Sequence, residues 1–218
     1  MIILGIVGGI GSGKSLVSQF LARHGAKIID ADRIGHEVLL QPAVKKAIQE
    51  RFGDTVFDLT GEIDRRKLAA VVFAPTDKGA GDLAFLKKLT HPHISEESRR
   101  ILTQFESQKV DLVVLDAPLL FESRWNELTT KVLFVDTPEP VRRERCEQRG
   151  WNQTEFLARE AAQWSTEKKR ELADYVLPNT GTPEDLEKEV QKFLEVLFPW
   201  NQSMFRPPFD GFAEASEL

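Results

Sequence analysis

At 218 residues the chain is long enough to bury one sizeable core and to carry an insertion. Its net charge of -5 at pH 7 argues against broad binding to a nucleic-acid backbone, and a single cysteine excludes an intrachain disulfide. No apolar run approaches the about 18 residues of a bilayer-spanning helix, and the first residues lack the pattern of a signal peptide.

The predicted strands alternate with helices along most of the chain. Residues 2–7, "IILGIV", are an apolar run rich in β-branched side chains and predict a buried strand, and "KSLVSQFLARHG" predicts a helix that ends at Gly25. Four further strands are predicted at 26–30, 110–116, 131–136 and 174–179. A last helix follows, with Thr182 as N-cap and Pro183 as its first residue. The alternation indicates an α/β fold, a three-layer α/β/α arrangement around a parallel sheet of five strands.

Two stretches interrupt the alternation and divide the chain into predicted domains. Residues 34–108 are mostly helical by pattern and lie between the second and third strands, so they predict a helical insertion. Residues 139–174 are charged and rich in arginine, and they predict two or three helices on the rim that act as a lid. The remaining assignments are a core at 1–33, 109–138 and 175–198 and a disordered tail at 199–218.

The stretch "GGIGSGKS" at residues 8–15 satisfies the phosphate-loop pattern G-x-x-x-x-G-K-[ST] between a predicted strand and a predicted helix. Glycines let successive N–H groups point into one concavity, and the helix adds its positive N-terminal dipole. Lys14 supplies a cation for the β- and γ-phosphates, and the Ser15 hydroxyl can ligate Mg²⁺. The predicted nucleotide-binding residues are Gly9, Ile10, Gly11, Ser12, Gly13, Lys14, Ser15 and Leu16.

The rest of the chain favours transfer of the phosphate to a small molecule. It has no N-K-x-D element that would read guanine and no LSGGQ-like transporter signature, whereas an insertion and a lid suit a small-molecule kinase. Directly after the second strand stands "DAD", at the edge where parallel sheets bind ligands. We expect one aspartate to cap the helix that starts near Arg33, and Asp32 to be the base that takes the acceptor's hydroxyl proton.

Several stretches together resemble the dephospho-CoA kinase family over about residues 1–198. They are, in order, "GIVGGIGSGKS", "GAKIIDAD", "LTHPHI", "DAPLLFE", "RERCEQR" and "REAAQWSTEKKRELADYVLPNTG". The resemblance implies a P-loop kinase, nucleoside-kinase-like in its core, that uses ATP and Mg²⁺ to phosphorylate the ribose 3′-hydroxyl of dephospho-CoA. The family usually has threonine where Leu16 stands, a departure that leaves Ser15 able to serve Mg²⁺.

The same resemblance implies roles for individual side chains. Asp32 would be the catalytic base. Arg145 and Arg149 would be lid arginines near the phosphates. Because these two arginines are four residues apart, we expect them on one face of a lid helix. Asn179 and Gly181 would lie beside the adenine.

The roles of other candidate residues stay open. Asp116 ends the third strand, where it is placed to bind Mg²⁺ directly, to bind it through water, or to order the phosphate loop. His91 precedes Pro92 and either contacts the acceptor or packs as a structural residue. Leu119 and Glu122 of "DAPLLFE" are candidates for binding the acceptor, and Glu122 has the alternative of pairing with an arginine.

We therefore predict a cytoplasmic enzyme of the dephospho-CoA kinase family, with no nucleic-acid or membrane partner, as a monomer or small homo-oligomer. Another small-molecule kinase on the same core is the first alternative, and a panel of acceptors distinguishes it. The second alternative is an ATP-binding regulatory module with a vestigial site, which would bind ATP without turnover. The intact Lys14, Ser15, Asp32 and Asp116 argue against this second alternative.

Overall fold

The computed structural model describes residues 1–74 and 76–199, so the predicted tail lies outside the described residues except for residue 199. The strands are β1 Ile2–Val7, β2 Lys27–Asp30, β3 Leu112–Asp116, β4 Lys131–Asp136 and β5 Tyr175–Pro178. The α-helices are α1 Lys14–Arg23, α2 Ala31–Leu39, α3 Pro42–Phe52, α4 Arg65–Val72, α5 Asp77–Ser107, α6 Glu139–Glu147, α7 Gln153–Ala161, α8 Thr166–Glu171 and α9 Pro183–Leu197. Short 3-10 helices span Gly53–Val56 and Trp125–Leu128.

The strands form one sheet in the order β2-β3-β1-β4-β5, with β1 at its centre. β1 runs parallel to both neighbours, so that Ile6 lies opposite Asp116 on β3 and opposite Leu133 on β4. β4 in turn runs parallel to β5. Because parallel strands end at the same edge, the segments that follow β1, β3, β4 and β5 all start from one edge of the sheet. The predicted α/β fold with its five-stranded sheet is confirmed.

One face of the sheet packs against α1 and α9. Alternate strand residues such as Leu4 and Ile6 are fully buried there, as the period-2 geometry of a strand requires. The same cluster contains the apolar face of α9, and Thr182 forms a capping box with Asp185 at its start. The N-cap predicted from the sequence is therefore confirmed. These contacts fix the start of α1, the helix that follows the phosphate loop.

The chain divides into two compact units. The first contains Met1–Ile29 and the described residues from Phe105 onward, and the second is Asp30–Gln104. The second unit is mostly helical, with a core that includes Val44 and Ile48. The sequence placed an insertion at 34–108, and the assignment of core, acceptor domain and lid remains a prediction.

An ion pair with a buried carboxylate also stabilises the second unit. Arg51 donates through Nε and Nη2 to Oδ1 of Asp82, whose side chain is buried, at 3.0 and 2.8 Å. A buried carboxylate needs such a partner, since an isolated charge is costly inside a protein. Within the described ranges, the structure contains no helix that is long and apolar enough to cross a membrane.

Candidate active site

The phosphate loop joins β1 to α1. Gly11 has φ +76° and Gly13 has φ +90°, left-handed conformations that favour glycine. The Ser12 N–H donates to the Gly9 carbonyl at 3.2 Å and closes the turn. Gly13, the N-cap of α1, has no side chain that could cap the helix, so the N–H groups of the first turn can bind an anion. The loop has the geometry that the sequence pattern predicts for binding phosphates.

Lys14 reaches back over the loop from the first turn of α1. Its Nζ donates to the carbonyl oxygens of Gly8 and Gly9 at 3.1 and 3.2 Å. The pKa of Lys14 is lowered to about 8. Burial is the main cause, and among the charged neighbours the Lys169 ammonium contributes most to the lowering. A triphosphate placed beside this amine would favour its charged form.

Close packing supports the outer side of the loop. A Cβ added at Gly11 would lie 2.5 Å from the Arg142 carbonyl oxygen and 3.0 Å from Cys146 Sγ, and one added at Gly9 would collide with the Arg142 guanidinium. Cys146 itself is buried, and burial raises the pKa of its thiol. The first helix of the predicted lid, α6, therefore packs directly on the loop.

Arg142 is the centre of this support. The residue is 4% exposed, and its Nη1 donates to the Ile10 carbonyl at 3.2 Å and to the Glu160 carboxylate at 2.7 Å. Its Nε donates to the Thr137 carbonyl at 3.1 Å. Arg142 was not among the predicted site residues, because its partners Ile10 and Glu160 lie far from it along the chain.

Asn179 and Thr137 hold the loop from the ends of β5 and β4. Asn179 Nδ2 donates to the Ser12 carbonyl at 2.7 Å, and Thr137 Oγ1 donates to the same oxygen at 3.0 Å. Arg145 Nη2 donates to Asn179 Oδ1 at 3.3 Å. Gly181 lies just before the capping box of α9, where an added Cβ would be 2.8 Å from the Asp185 carboxylate. Thr137 was not predicted, because nothing in its neighbouring sequence marks it as a loop contact.

The predicted lid arginines do not share one helix. Helix α6 ends at Glu147, and Arg149 lies beyond it in a turn completed by Gly150 at φ +84°. The expectation that Arg145 and Arg149 lie on one helix face is therefore wrong, because the left-handed glycine conformation belongs to a turn that ends the helix. Arg149 is exposed, whereas Arg159 stacks over the Trp151 ring at 4.1 Å.

Asp116 and Ser15 are the predicted metal ligands. Asp116 ends β3 opposite Ile6 of β1, and its Oδ2 accepts from Ser18 Oγ at 3.0 Å. Ser15 lies in the first turn of α1. Residues 1–74 and 76–199 contain no group of three or more His, Cys, Asp or Glu side chains that could hold a metal by themselves. This donor set suits Mg²⁺, which keeps water and phosphate oxygens as ligands.

Glu122 pairs with a lysine, whereas the sequence suggested the acceptor or an arginine as its partner. Lys169 Nζ lies 3.0 Å from Glu122 Oε1, and the Trp164 N–H donates to the same oxygen at 2.8 Å. Leu119 is half-buried in the same segment after β3, where its carbonyl accepts from the Ser123 N–H at 2.9 Å.

Asp32 and His91 lie in the second unit. Asp30 is the N-cap of α2 and accepts from the Arg33 N–H at 2.9 Å, while Asp32 sits in the first helical turn. The expectation that one of the two aspartates is a cap is therefore confirmed, although α2 starts at residue 31 rather than near 33. His91 lies inside α5, which continues through Pro92, and burial followed by the Lys87 charge lowers its pKa.

The loop between β1 and α1, the strand order and the lysine over the loop together define a P-loop kinase-type nucleotide site. The chain matches the family described as CoaE, dephospho-CoA kinase, over residues 2–185, so it belongs to the dephospho-CoA kinase family. The family predicted from the sequence is thus confirmed.

Individual relatives agree with this assignment. A dephospho-CoA kinase of Carboxydothermus hydrogenoformans is 39% identical over 201 residues, covering 91% of this chain and 94% of the relative. The crystal structure of TT1252 from Thermus thermophilus is 36% identical, with a TM-score of 0.74 and coverage of 90% and 97%. The dephospho-CoA kinase from Campylobacter jejuni is 25% identical, with a TM-score of 0.69 and coverage of 91% and 98%.

Proposed function

We propose that the chain transfers the γ-phosphate of ATP to the ribose 3′-hydroxyl of dephospho-CoA, giving CoA and ADP, the last step of CoA biosynthesis. The observation that carries the proposal is an intact phosphate loop, with Lys14 hydrogen-bonded over it, in a chain of the dephospho-CoA kinase family. Phosphoryl transfer depends mainly on positioning and on neutralising charge at the phosphates, and this loop provides both.

The nucleotide occupies the loop in this proposal. Backbone N–H groups from Gly9 to Leu16 contact the phosphates, and the Lys14 ammonium neutralises the β- and γ-phosphates. Asn179 and Gly181 lie on the adenine side, where Asn179 also fixes the Ser12 carbonyl.

Mg²⁺ would be held at the Ser15 hydroxyl, with Asp116 as a ligand or as an acceptor for bound water. The hydrogen bond from Ser18 fixes the Asp116 carboxylate at the end of β3. Mg²⁺ held by these residues would supply positive charge that stabilises the transferring phosphate.

The acceptor is deprotonated by Asp32 in this proposal. Asp30 already caps α2, so Asp32 is not required for that task. His91 and Leu119 contact dephospho-CoA, whereas the Glu122 carboxylate is held by its ion pair with Lys169. Arg145 and Arg149 approach the transferring group from the lid.

A cytoplasmic location and a monomer or small homo-oligomer belong to the same proposal. A single cysteine, buried in the structure, fits a reducing compartment. Light scattering on the purified protein measures the assembly.

The test is ADP release at saturating Mg-ATP with dephospho-CoA, adenosine, AMP or CoA as acceptor. ADP formed only with dephospho-CoA, in equal amount to CoA, supports the proposal. ADP formed only with another acceptor would assign the chain a different substrate. No ADP with any acceptor, despite ATP binding, would indicate a regulatory module.

Asp32→Asn tests the base. We expect kcat to fall by about a hundredfold or more, because general-base catalysis commonly contributes that much, while affinity for an ATP analogue stays unchanged. Asp30→Asn is the matched control, since asparagine caps helices as well as aspartate does and keeps the first turn of α2 in place. Near-normal turnover of Asp32→Asn would remove this residue from the mechanism.

A further inference from the structure

The strongest unassigned feature is a buried lysine in the predicted lid. Lys169 lies in the six-residue helix α8, yet only 1% of its side chain is exposed. Its Nζ donates to Gln163 Oε1 at 2.8 Å and pairs with Glu122 Oε1 at 3.0 Å. A lysine on a short surface helix normally keeps its ammonium in water, so this burial needs a reason.

Glu122 is built to hold that lysine. Its side chain is 11% exposed, and Oε1 accepts both from Lys169 and from the Trp164 N–H. The Trp164 ring stacks on Phe121 with a centroid distance of 5.9 Å, so the backbone donor is fixed as well. Glu122 Oε2 is buried, and within residues 1–74 and 76–199 no group is hydrogen-bonded to it. A buried carboxylate with one oxygen unsatisfied is costly unless the pair serves a task.

Helix α8 lies at the edge of the sheet from which the phosphate loop starts. Arg170, next to Lys169, pairs with Asp136 at the end of β4 at 3.0 Å. Asp136 lies two residues beyond Phe134, which is opposite Val7 of β1, the residue before the loop. The helix is therefore level with the first residues of the loop.

A series of polar contacts runs from the loop to this lysine, and its link between Glu160 and Gln163 is the backbone hydrogen bond from the Gln163 N–H to the Glu160 carbonyl at 3.1 Å. The Ile10 carbonyl accepts from Arg142, and Arg142 pairs with Glu160 of α7. Gln163, three residues after Glu160, accepts from Lys169. Helix α8 is thus tied to the segment after β3, through the pair of Lys169 with Glu122, and to the end of β4, through the pair of Arg170 with Asp136. These are the two strands that flank β1, from which the loop starts.

We infer that Lys169 is a positioning residue of the triphosphate site, held by Glu122 and Gln163 so that a second buried positive charge stands beside Lys14. The inference rests on the proposed function for the identity of the triphosphate. A fixed second cation helps to hold the β- and γ-phosphates, and it acts without contact to the acceptor. It assigns Glu122 to support of the nucleotide site rather than to binding of dephospho-CoA.

The test is the affinity of a non-hydrolysable ATP analogue with Mg²⁺, measured by calorimetry at pH 7 without any acceptor. For Lys169→Met we expect affinity at pH 7 to fall about tenfold or more, since a buried cation and its pairing are lost. Lys168→Met removes an exposed charge from the same helix, and we expect its affinity to stay within about twofold of the wild type.

Rescue by arginine separates positioning by charge from mere structural support. Lys169→Arg keeps a positive charge on a long side chain, so we expect it to keep more of the analogue affinity than Lys169→Met does.

Glu122→Gln completes the design. We expect it to weaken binding of the analogue in the absence of acceptor. In the double variant with Lys169→Met, the loss of binding free energy should be less than the sum of the two single losses. A change confined to the KM for dephospho-CoA would instead make Glu122 an acceptor ligand and overturn the inference. Unchanged affinity in Lys169→Met, or an equal loss in Lys169→Arg, would also overturn it.

The two proposals fail separately. A wild-type protein that binds the analogue as described but does not phosphorylate dephospho-CoA would contradict the proposed function and leave the role of Lys169 standing. Thermal unfolding of each variant shows that it is folded, and Lys169→Arg keeps the positive charge. If Lys169→Arg bound the analogue no better than Lys169→Met, the charge would not be the property that matters and the inference would fail.

Discussion

Lys14 shows how surroundings set the chemistry of one side chain. A lysine in water has a pKa of 10.5, but burial under the loop lowers the pKa of Lys14 to about 8. Its hydrogen bonds to Gly8 and Gly9 hold the amine over the loop before any phosphate arrives. The amine is thus held in place, and neighbouring charged groups raise or lower its pKa.

The pH dependence of turnover follows from this. Below about pH 8 Lys14 is an ammonium and attracts the triphosphate, whereas above it the proton is lost, so we expect kcat/KM for ATP to decline on the alkaline side of about 8. Bound phosphate favours the charged form, so the decline in kcat should occur at higher pH. Initial rates across the pH range measure both, and a flat kcat/KM up to pH 10 would contradict the prediction.

The loop glycines give a second prediction at this scale. Gly11→Ala places a Cβ 2.5 Å from the Arg142 carbonyl oxygen, and Gly25→Ala places one with nothing within 4 Å, although both residues have positive φ. We expect Gly25→Ala to lower the free energy of unfolding by about 1 to 2 kcal/mol through backbone strain alone. Gly11→Ala should lower the free energy of unfolding by more than this, and it should also weaken binding of an ATP analogue. Equal losses in urea denaturation would show that crowding at Gly11 is absent.

At the scale of elements, α6 supports the phosphate loop. The helix packs on the loop through Arg142 and Cys146, and Arg142 joins it to α7 through Glu160. Sequence periodicity predicts that a helix exists here, but not which arginine is buried. The partners of Arg142 lie far away along the chain, at Ile10 and Glu160, so local pattern cannot separate it from Arg143 or Arg145.

Arg142→Met tests this connection. The substitution leaves Glu160 and two backbone carbonyls without their donor, and we expect the free energy of unfolding to fall by about 3 to 5 kcal/mol. Lys192→Met is the control, because its pair with Glu189 is exposed and should contribute less than about 1 kcal/mol. Urea denaturation measures both variants, and a loss at Arg142 no larger than at Lys192 would contradict the prediction.

At the scale of the whole molecule, the sequence predicted the five strands, the loop and the family, because each depends on local apolar runs or on a contiguous motif. The end of α6 was misjudged because helical spacing was extended through Gly150. The task of Glu122 was also missed, since Lys169 comes from a different segment. Contacts between distant segments are thus the part that sequence pattern leaves undetermined.

The division into two units predicts separable kinetic effects. His91 lies in the second unit, so we expect His91→Ala to raise the KM for dephospho-CoA by about tenfold and to leave ATP-analogue affinity unchanged. His93→Ala, two residues further along the same helix, serves as the control. Steady-state kinetics with each substrate varied in turn measure the effect, and an unchanged KM would make His91 a packing residue.

The burial of Cys146 against Gly11 makes the protein carry its own reporter group. The chain has one cysteine, so a thiol reagent modifies a single site, and that site is shielded while the phosphate loop is closed on α6. The rate of alkylation therefore measures how often the loop parts from the helix. Any ligand that stabilises the loop should slow the labelling, which offers an assay of occupancy that needs neither turnover nor an attached dye.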